Sequence, residues 1–281
     1  MGSKKSVLMF APKFFGYEKR LSDAIEDEGY EVDLYDERPN NGFICKTLLR
    51  LNFKPYKAVV RKYIKKVINE NADKQYDYVL VIKSEAAGEK ELKLLREAYP
   101  NARFILYLWD SVANVPDGEK KLSLYDKVLT FDPADAEVYG ITLRPLFFGK
   151  EYELKLEQKM HYKYDIAFVG TAHTIRPRII KQLEVQCKRQ GKDCFSYMFL
   201  PHPIVYFYNK LINPAYRNIQ KKDIRFETLS SSEINKIYEH SRSILDVEHI
   251  SQRGLTIRTI EMIGSQKKLV TTNKNIEKYD F

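Results

Sequence analysis

Length, composition and charge limit what this chain can be. Its 281 residues exceed one ordinary hydrophobic core and favour two domains of about 120 to 150 residues each. Hydrophobic residues make up 44% of the chain, and glycine and proline number only 12 and 11, which excludes a disordered or fibrous protein. The net charge of +9 predicts an anionic partner: nucleic acid, an acidic membrane surface or a phosphorylated substrate.

Apolar segments and metal-binding residue types narrow the class further. No apolar run reaches the ~18 residues of a membrane span, and the N-terminal apolar stretch is too short for a signal peptide, so a cytoplasmic protein is expected. The three cysteines, Cys45, Cys187 and Cys194, lack C-x-x-C spacing and predict plain thiols. The five histidines contain no pair at metal-ligand spacing, and no D-x-D motif occurs, so no metal is expected.

Short apolar runs alternate with segments of helical spacing, which predicts parallel sheets with crossover helices. In the first half the predicted strands are 6–10, 31–35, 78–82, 103–108, 127–131 and 142–147. A charged segment at 148–164 predicts a boundary between domains 1–150 and 151–281. The second half predicts strands at 165–169, 195–200, 224–227, 243–247 and 268–271, and helices at about 176–190, 203–220, 231–241 and 255–263. The expected fold is therefore α/β, with two doubly wound Rossmann-like domains whose ligands bind beyond the carboxyl ends of the strands.

The most informative pattern follows the predicted strand 243–247. A polar loop with Gly254 leads into a helix whose N-terminus is expected at Gly254 and Leu255. On this helix Arg258 and Glu261, three residues apart, project together. A helix N-terminus and an arginine suit a phosphate, whereas a carboxylate suits the diol of a ribose. From spacing alone, a surface ion pair that contributes ~0.3 kcal/mol is the favoured alternative.

The stretch 246–273 resembles the donor-binding segment of GT-B glycosyltransferases, especially the CgeB-like and the lipopolysaccharide or capsular polysaccharide biosynthesis enzymes. The resemblance is carried by Gln252, Gly254, Leu255, Arg258, Glu261 and the strand end 268–273. It implies two domains facing a cleft, an N-terminal acceptor-side domain and a C-terminal donor domain. It also implies a metal-independent hexosyltransferase that needs no cofactor, because the nucleotide-sugar is a substrate. The acceptor is then a glycan or a lipid-linked molecule.

The same resemblance implies a role for Glu261 and shows that a second family glutamate is missing from this chain. GT-B enzymes use a glutamate at the position of Glu261 to hold the ribose of the nucleotide. Many carry a second glutamate eight residues earlier, where this chain has Arg253. Contacts that this second glutamate makes to the transferred sugar therefore have no counterpart here.

A second donor-side loop is expected after the predicted strand 165–169. There Gly170 and Thr171 resemble the loop of the same family that approaches the donor diphosphate. A glycine suits that role because it lets backbone N–H groups approach an oxygen anion closely. Arg176 and Arg178 follow, either as phosphate ligands or as solvated helix charges. His173 and His249 lie in the two donor-side loops, where they either hydrogen-bond to phosphate or sugar or remain in solvent.

The first half contributes three further candidates. Gly16 follows the first predicted strand, where it either brings the backbone close to donor phosphate or serves as a turn glycine. Trp109 follows the fourth strand and is available to stack on a sugar. Asp110 is a candidate general base for an inverting transfer, with a helix cap or turn residue as an equal alternative.

Two segments are candidates for peripheral contact with an anionic membrane at its inner face. Residues 54–68 combine lysines with an apolar stripe, although the favoured alternative is that the stripe covers a sheet and leaves the lysines in water. The aromatic run 204–208 is the second candidate, for contact with either the membrane or the acceptor, and burial against a sheet is again the alternative.

Two other classes of protein compete with the enzyme. A non-catalytic sugar-nucleotide or glycan-binding GT-B relative would bind nucleotide without releasing sugar. A nucleic-acid binder is disfavoured, and no nucleic acid partner is expected, because no module pattern of that class is visible. Because GT-B enzymes usually continue past the last predicted strand, the chain is expected to be truncated after Phe281 or to be a minimal version.

Overall fold

The structure is a computed structural model, and it describes residues 4–50, 53–153, 162–248 and 253–280. The chain divides into two compact units, Met1–Pro145 and Leu146–Phe281. This division falls a few residues before the boundary expected from the charged segment. Among the described helices, none combines the length and apolar character that crossing a bilayer requires.

Unit 1 is built on a parallel sheet of six strands in the order β2-β1-β3-β4-β5-β6. The strands are β1 Ser6–Ala11, β2 Glu31–Asp36, β3 Tyr78–Ile82, β4 Arg103–Leu108, β5 Lys127–Thr130 and β6 Thr142–Leu143. The helices are α1 Tyr17–Asp27, α2 Phe43–Arg50, α3 Tyr56–Glu70, α4 Glu89–Ala98, α5 Gly118–Leu122 and α6 Pro133–Tyr139. The last strand is shorter than expected from its apolar run, because Pro145 has no N–H group to continue the ladder.

Helix α3 shows where the basic amphipathic segment of unit 1 belongs. Val60, Ile64 and Val67 are each 1% exposed and pack in the core of the unit. Lys62 and Lys65 on the same helix are exposed. The interpretation in which the apolar stripe covers the sheet is therefore confirmed for these three residues, whereas Val59, which was expected to join them, is 47% exposed.

Unit 2 contains a parallel sheet of five strands in the order β11-β10-β7-β8-β9. The strands are β7 Tyr164–Thr171, β8 Cys194–Phe199, β9 Ile224–Arg225, β10 Ser241–Asp246 and β11 Lys268–Thr271. The helices are α7 Arg176–Arg189, α8 Pro203–Ile212, α9 Ser231–Glu239 and α10 Ile257–Gly264. Two parallel sheets covered by helices confirm the expected α/β architecture.

The side chains of β7 alternate between two cores. Ile166 and Phe168 pack on the side of α7 and α8, whereas Ala167 and Val169 pack with Tyr238 of α9 on the other side. This alternation follows from the period of two along a strand. Strand β7 is thereby buried on both faces at the middle of the sheet.

Candidate functional site

The strand order of unit 2 creates a topological switch point between β7 and β10. After β7 the chain turns to one side, toward β8, and after β10 it turns to the other, toward β11. The two strands themselves are adjacent, with Ile244 opposite Ala167. In open parallel sheets, loops that diverge in this way leave a crevice at the carboxyl ends of the strands, where ligands bind. The candidate site is this switch point.

Asp246, the last residue of β10, ties the start of α10 to the sheet. Its side chain is fully buried, and Oδ2 accepts hydrogen bonds of 2.9 Å from the hydroxyls of Thr256 and Thr259. Thr256 also caps α10, because its Oγ1 accepts from the Thr259 amide at 3.2 Å. The orientation of α10 above the strand end is therefore fixed by a buried carboxylate.

Arg258, in the first turn of α10, reaches across to β7. Its Nε donates to the Tyr238 hydroxyl at 2.8 Å, and Nη2 donates to the Val169 carbonyl. Nη1 lies 3.8 Å from the Asp246 carboxylate, and the guanidinium stacks 5.4 Å from the centre of the Phe168 ring. Burial works against its charge, but Tyr238 and Asp246 outweigh burial and hold the pKa of Arg258 above its ordinary value.

A second arginine lies beside the first. Arg176, at the start of α7, is 9% exposed, and its Nε donates to the Val247 carbonyl at 2.7 Å. Its Nη1 also points at the Thr171 carbonyl, 3.4 Å away. Burial, and next the positive charge of Arg258, lower the pKa of Arg176 to about 10. Two guanidinium groups thus lie close together at the switch point, whereas Arg178 is exposed on α7.

Gly170 and Thr171 lie in β7 rather than in the loop after it, because β7 extends to pair Thr171 with Phe199 of β8. The strand was expected to end at residue 169, and this limit is corrected, since the loop begins only at Ala172. The donor-binding roles of Gly170 and Thr171 stay predictions, and Gly170 also has a structural role. A Cβ at this position would lie 3.3 Å from Nη2 of Arg258, so the missing side chain leaves room for the guanidinium.

The loop after β7 contains a strained residue and is fixed by hydrogen bonds from another segment of unit 2. Thr174 has a φ of 50°, a left-handed conformation that costs a non-glycine residue about 1 kcal/mol. His173 is half-buried, with Nδ1 3.2 Å from the Thr174 hydroxyl. The Tyr216 hydroxyl donates to the Ala172 carbonyl, and Asn213 donates to the Thr174 carbonyl at 3.1 Å. Residues after α8 therefore set the shape of this loop.

The other predicted donor residues surround the start of α10. The helix begins at Ile257 with Thr256 as its cap, so Gly254 and Leu255 precede it and do not form the helix N-terminus, which corrects that expectation. Both are buried, and Asn273 donates to the Gly254 carbonyl at 3.1 Å. Asn273 fixes this turn because its amide reaches back from the end of β11.

Glu261 lies one turn into α10, near Arg258. It is 6% exposed, and its negative charge is one of the influences that raise the pKa of Arg258. The structure therefore brings Arg258, Glu261 and Arg176 together at one switch point, and their donor-binding roles stay predictions. Gln252 and His249 lie outside the described residues.

Tyr238, Asp246, Asn213 and Tyr216 are site-building residues that were not expected from the sequence. Asp246 had a usable signal, an acidic residue that closes an apolar strand. The other three had none, because their contacts join distant parts of the chain.

The candidates of unit 1 lie beyond β1 and β4. Gly16 precedes α1 with a φ of 79°, which favours glycine and agrees with the turn interpretation, while a contact with donor phosphate stays a prediction. Trp109 follows β4 and packs edge-on against Tyr107, with ring centres 6.1 Å apart.

Asp110 is held in place by its neighbours. Its carboxylate lies 3.0 Å from Lys83 Nζ and accepts hydrogen bonds from Asn114 at 2.8 Å and the Ser111 amide at 3.1 Å. Burial raises the pKa of Asp110, but Lys83 and these hydrogen bonds outweigh burial, so its pKa lies below the ordinary value. A carboxylate of low pKa is a weak proton acceptor. Its role as the general base stays a prediction, and the contacts suit the turn alternative.

The three cysteines are free thiols. Within the described ranges, no group of three or more His, Cys, Asp or Glu side chains is arranged to hold a metal ion.

Comparison with known proteins finds similarity in structure but not in sequence. No protein-family model matches the chain, and no curated protein matches its sequence. It is similar to AviGT4, a glycosyltransferase involved in avilamycin A biosynthesis, with a TM-score of 0.60 and 10% identity over 97% of this chain and 80% of that one. It is also similar to HepE of Anabaena, solved in complex with UDP and glucose, with a TM-score of 0.55 and 12% identity over 99% of this chain and 84% of that one. At these identities the likeness shows the fold: two Rossmann-like domains of the GT-B glycosyltransferase type.

Proposed function

We propose that the chain is a glycosyltransferase that transfers a hexose from a nucleotide-sugar to a glycan or lipid-linked acceptor in surface polysaccharide biosynthesis, without a metal ion. The CgeB-like group is the family that we propose for it. One observation carries the proposal: Arg176, Arg258 and Glu261 converge at the switch point of unit 2. That combination provides cations for a diphosphate and a carboxylate for a ribose.

The two arginines provide the charge that a diphosphate requires. Burial lowers the pKa of Arg176, and repulsion by the neighbouring Arg258 guanidinium lowers it further. A bound diphosphate would offset both effects, because phosphate oxygens accept charge-assisted hydrogen bonds from guanidinium groups. The buried setting of both side chains strengthens such contacts relative to those in water.

Glu261 supplies the group that suits a ribose. A carboxylate accepts hydrogen bonds from both hydroxyls of a diol, which a neutral amide does less well. Because Glu261 is only 6% exposed, donor binding requires its carboxylate to turn toward the nucleotide. The incoming phosphate would take over part of the interaction that the neighbouring Arg258 makes with Glu261, which would free the carboxylate to turn.

The nature of the donor is proposed from the structural comparison. HepE was solved with UDP and glucose, which supports a uridine diphosphate sugar as the first donor to test. Asp110 is proposed as the base of an inverting transfer, and its paired partner Lys83 would have to move away to make it a better proton acceptor.

Donor binding can be tested with matched variants. A thermal-shift screen of nucleotide-sugars selects the best binder, and calorimetry then gives its Kd. Glu261→Gln keeps the side-chain volume and is expected to weaken binding about tenfold or more, a change of ~1.4 kcal/mol. Glu227→Gln removes the same charge from an exposed position in unit 2 and is expected to leave the Kd unchanged. Equal affinities for the wild type and Glu261→Gln would contradict the site.

The low pKa of Asp110 favours one rival, a non-catalytic protein that binds sugar nucleotides. Turnover separates the two proposals. Release of free nucleotide from the bound donor in the presence or absence of acceptors supports the enzyme, whereas tight binding with no release over hours supports the binding protein.

A further inference from the structure

Helix α8 presents a continuous apolar face to solvent. The face consists of Ile204, Phe207, Tyr208, Leu211 and Ile212, which are 67%, 58%, 61%, 86% and 54% exposed. These positions are spaced three and four residues apart and therefore line one side of the helix. We call this surface the α8 face.

The opposite side of the same helix is anchored in the core of unit 2. Tyr206 is 5% exposed, and its hydroxyl donates to the Ile219 carbonyl at 3.1 Å. Its ring packs against Tyr216 with centres 6.2 Å apart, and Val205 packs against the same core. The helix cannot bury the α8 face by rotating, because rotation would expose Tyr206. A helix that is apolar on both sides requires a second apolar environment.

Charge indicates what that environment is. Residues 203–222 contain Lys210, Arg217, Lys221 and Lys222 but no Asp or Glu. Lys221 Nζ lies 5.9 Å from the ring centre of Phe207, so at least one of these cations borders the α8 face directly. Aromatic and aliphatic side chains bordered by cations match the surface of an anionic bilayer, where the rings enter the headgroup layer and the cations meet phosphate.

We propose that the α8 face docks on an anionic lipid bilayer as a peripheral contact. Helix α8 follows the carboxyl end of β8, and Asn213 at its end donates to the Thr174 carbonyl in the loop after β7. Docking therefore brings the switch point of unit 2 close to the bilayer. This contact rests on the geometry of α8 and holds whether or not the proposed donor is bound there.

Vesicle binding by the full chain tests the proposal. Sedimentation with vesicles of phosphatidylcholine and phosphatidylglycerol in a 3:1 ratio gives a partition coefficient, and pure phosphatidylcholine vesicles serve as the neutral reference. The wild type is expected to bind the anionic vesicles at least tenfold more strongly than the neutral ones. The double variant Phe207→Ser with Leu211→Ser is expected to lose at least tenfold of that binding. Lys221→Gln with Lys222→Gln is expected to reduce both the binding and its dependence on salt.

A matched control excludes a general effect of removing surface apolar groups. Val138 on α6 of unit 1 is 73% exposed, and Val138→Ser is expected to bind vesicles like the wild type. Because Phe207 and Leu211 are exposed, their substitution is expected to leave the thermal unfolding midpoint and the donor Kd unchanged.

Three results would overturn the proposal. Wild-type protein that does not sediment with anionic vesicles rules the contact out. Equal binding by the wild type and the Phe207 and Leu211 variant places the membrane contact elsewhere. A concentration-dependent dimer in light scattering that disappears in this variant, without vesicle binding, shows that a second copy of the chain covers the α8 face.

Discussion

Gly170→Ala tests how the site is built. A Cβ at Gly170 would lie 3.0 Å from Cζ of Phe168 and 3.3 and 3.4 Å from the two terminal nitrogens of Arg258. The Phe168 ring is fully buried in the core, so the guanidinium is the group that must move. Moving it disturbs its hydrogen bonds to Val169 and Tyr238.

The magnitude follows from those contacts. Hydrogen bonds to charged groups contribute about 1.5 to 3 kcal/mol each. The loss of stability is therefore at most about 3 kcal/mol if one of the two Arg258 hydrogen bonds is weakened. Alanine also adds about 0.5 to 1 kcal/mol to the free energy of unfolding, because it restricts the unfolded chain more than glycine does. We expect Gly170→Ala to lower the free energy of unfolding by about 1 to 2 kcal/mol and to weaken donor binding about tenfold.

Urea unfolding and calorimetry measure the two effects, and Gly191→Ala is the control. Gly191 has a φ of 63° and open space around it, so alanine there costs about 1 kcal/mol through backbone strain alone. That variant should lose comparable stability and keep the wild-type donor Kd. If Gly170→Ala changed neither stability nor Kd, the packing of Arg258 against β7 would not support the site.

Further predictions concern unit 1. Burial raises the pKa of Glu37 to about 7, so its contribution to stability is greatest below pH ~4.5 and is lost as the pH rises through 7. In the wild type the free energy of unfolding should therefore fall by about 2 to 3 kcal/mol between about pH 5 and pH 8, and Glu37→Gln should abolish this fall. A stability difference between the variant and the wild type that is the same at about pH 5 and pH 8 would refute this. Arg38 pairs with Glu85 in a buried ion pair, so Arg38→Met should cost about 3 to 5 kcal/mol in urea unfolding, and a loss below 1 kcal/mol would contradict the structure. Asp110→Asn should lower turnover about 100-fold or more with little change in donor Kd if Asp110 is the base, and unchanged turnover would leave it as the partner of Lys83.

The strands could be predicted because they are local patterns. The predicted strands 78–82, 103–108 and 268–271 coincide with β3, β4 and β11, since each is a short run with apolar and β-branched residues. Helix α2 was not expected, because its eight residues make little more than two turns and give a weak period. Helix α8 ends at Ile212, well before the expected limit, because Pro214 disfavours helix at Asn213.

The candidate site could be predicted only in part. The spacing of Arg258 and Glu261 predicted that they lie on one side of a helix, and in the structure both lie on α10, the helix that follows β10. The partners of Arg258 could not be predicted, because the Val169 carbonyl is 89 residues away in the chain and becomes a neighbour only when β7 pairs with β10. The proximity of Arg176 to Arg258 has the same origin, through Val247, which lies 71 residues from Arg176.

The α8 face shows a different limit of sequence patterns. The aromatic run 204–208 is apolar on every side, so its period alone does not distinguish a buried helix from one that is half exposed. Tyr206 resolves this, because its buried ring and the exposed Leu211 lie on opposite sides of the helix.

A crystal structure of the full chain with UDP tests the central claim most directly. We predict that the diphosphate lies within hydrogen-bond distance of the guanidinium groups of Arg176 and Arg258. We also predict that the Glu261 carboxylate has turned outward to accept from both ribose hydroxyls. A nucleotide bound away from the carboxyl ends of β7 and β10, or one whose ribose leaves Glu261 buried, would contradict the account.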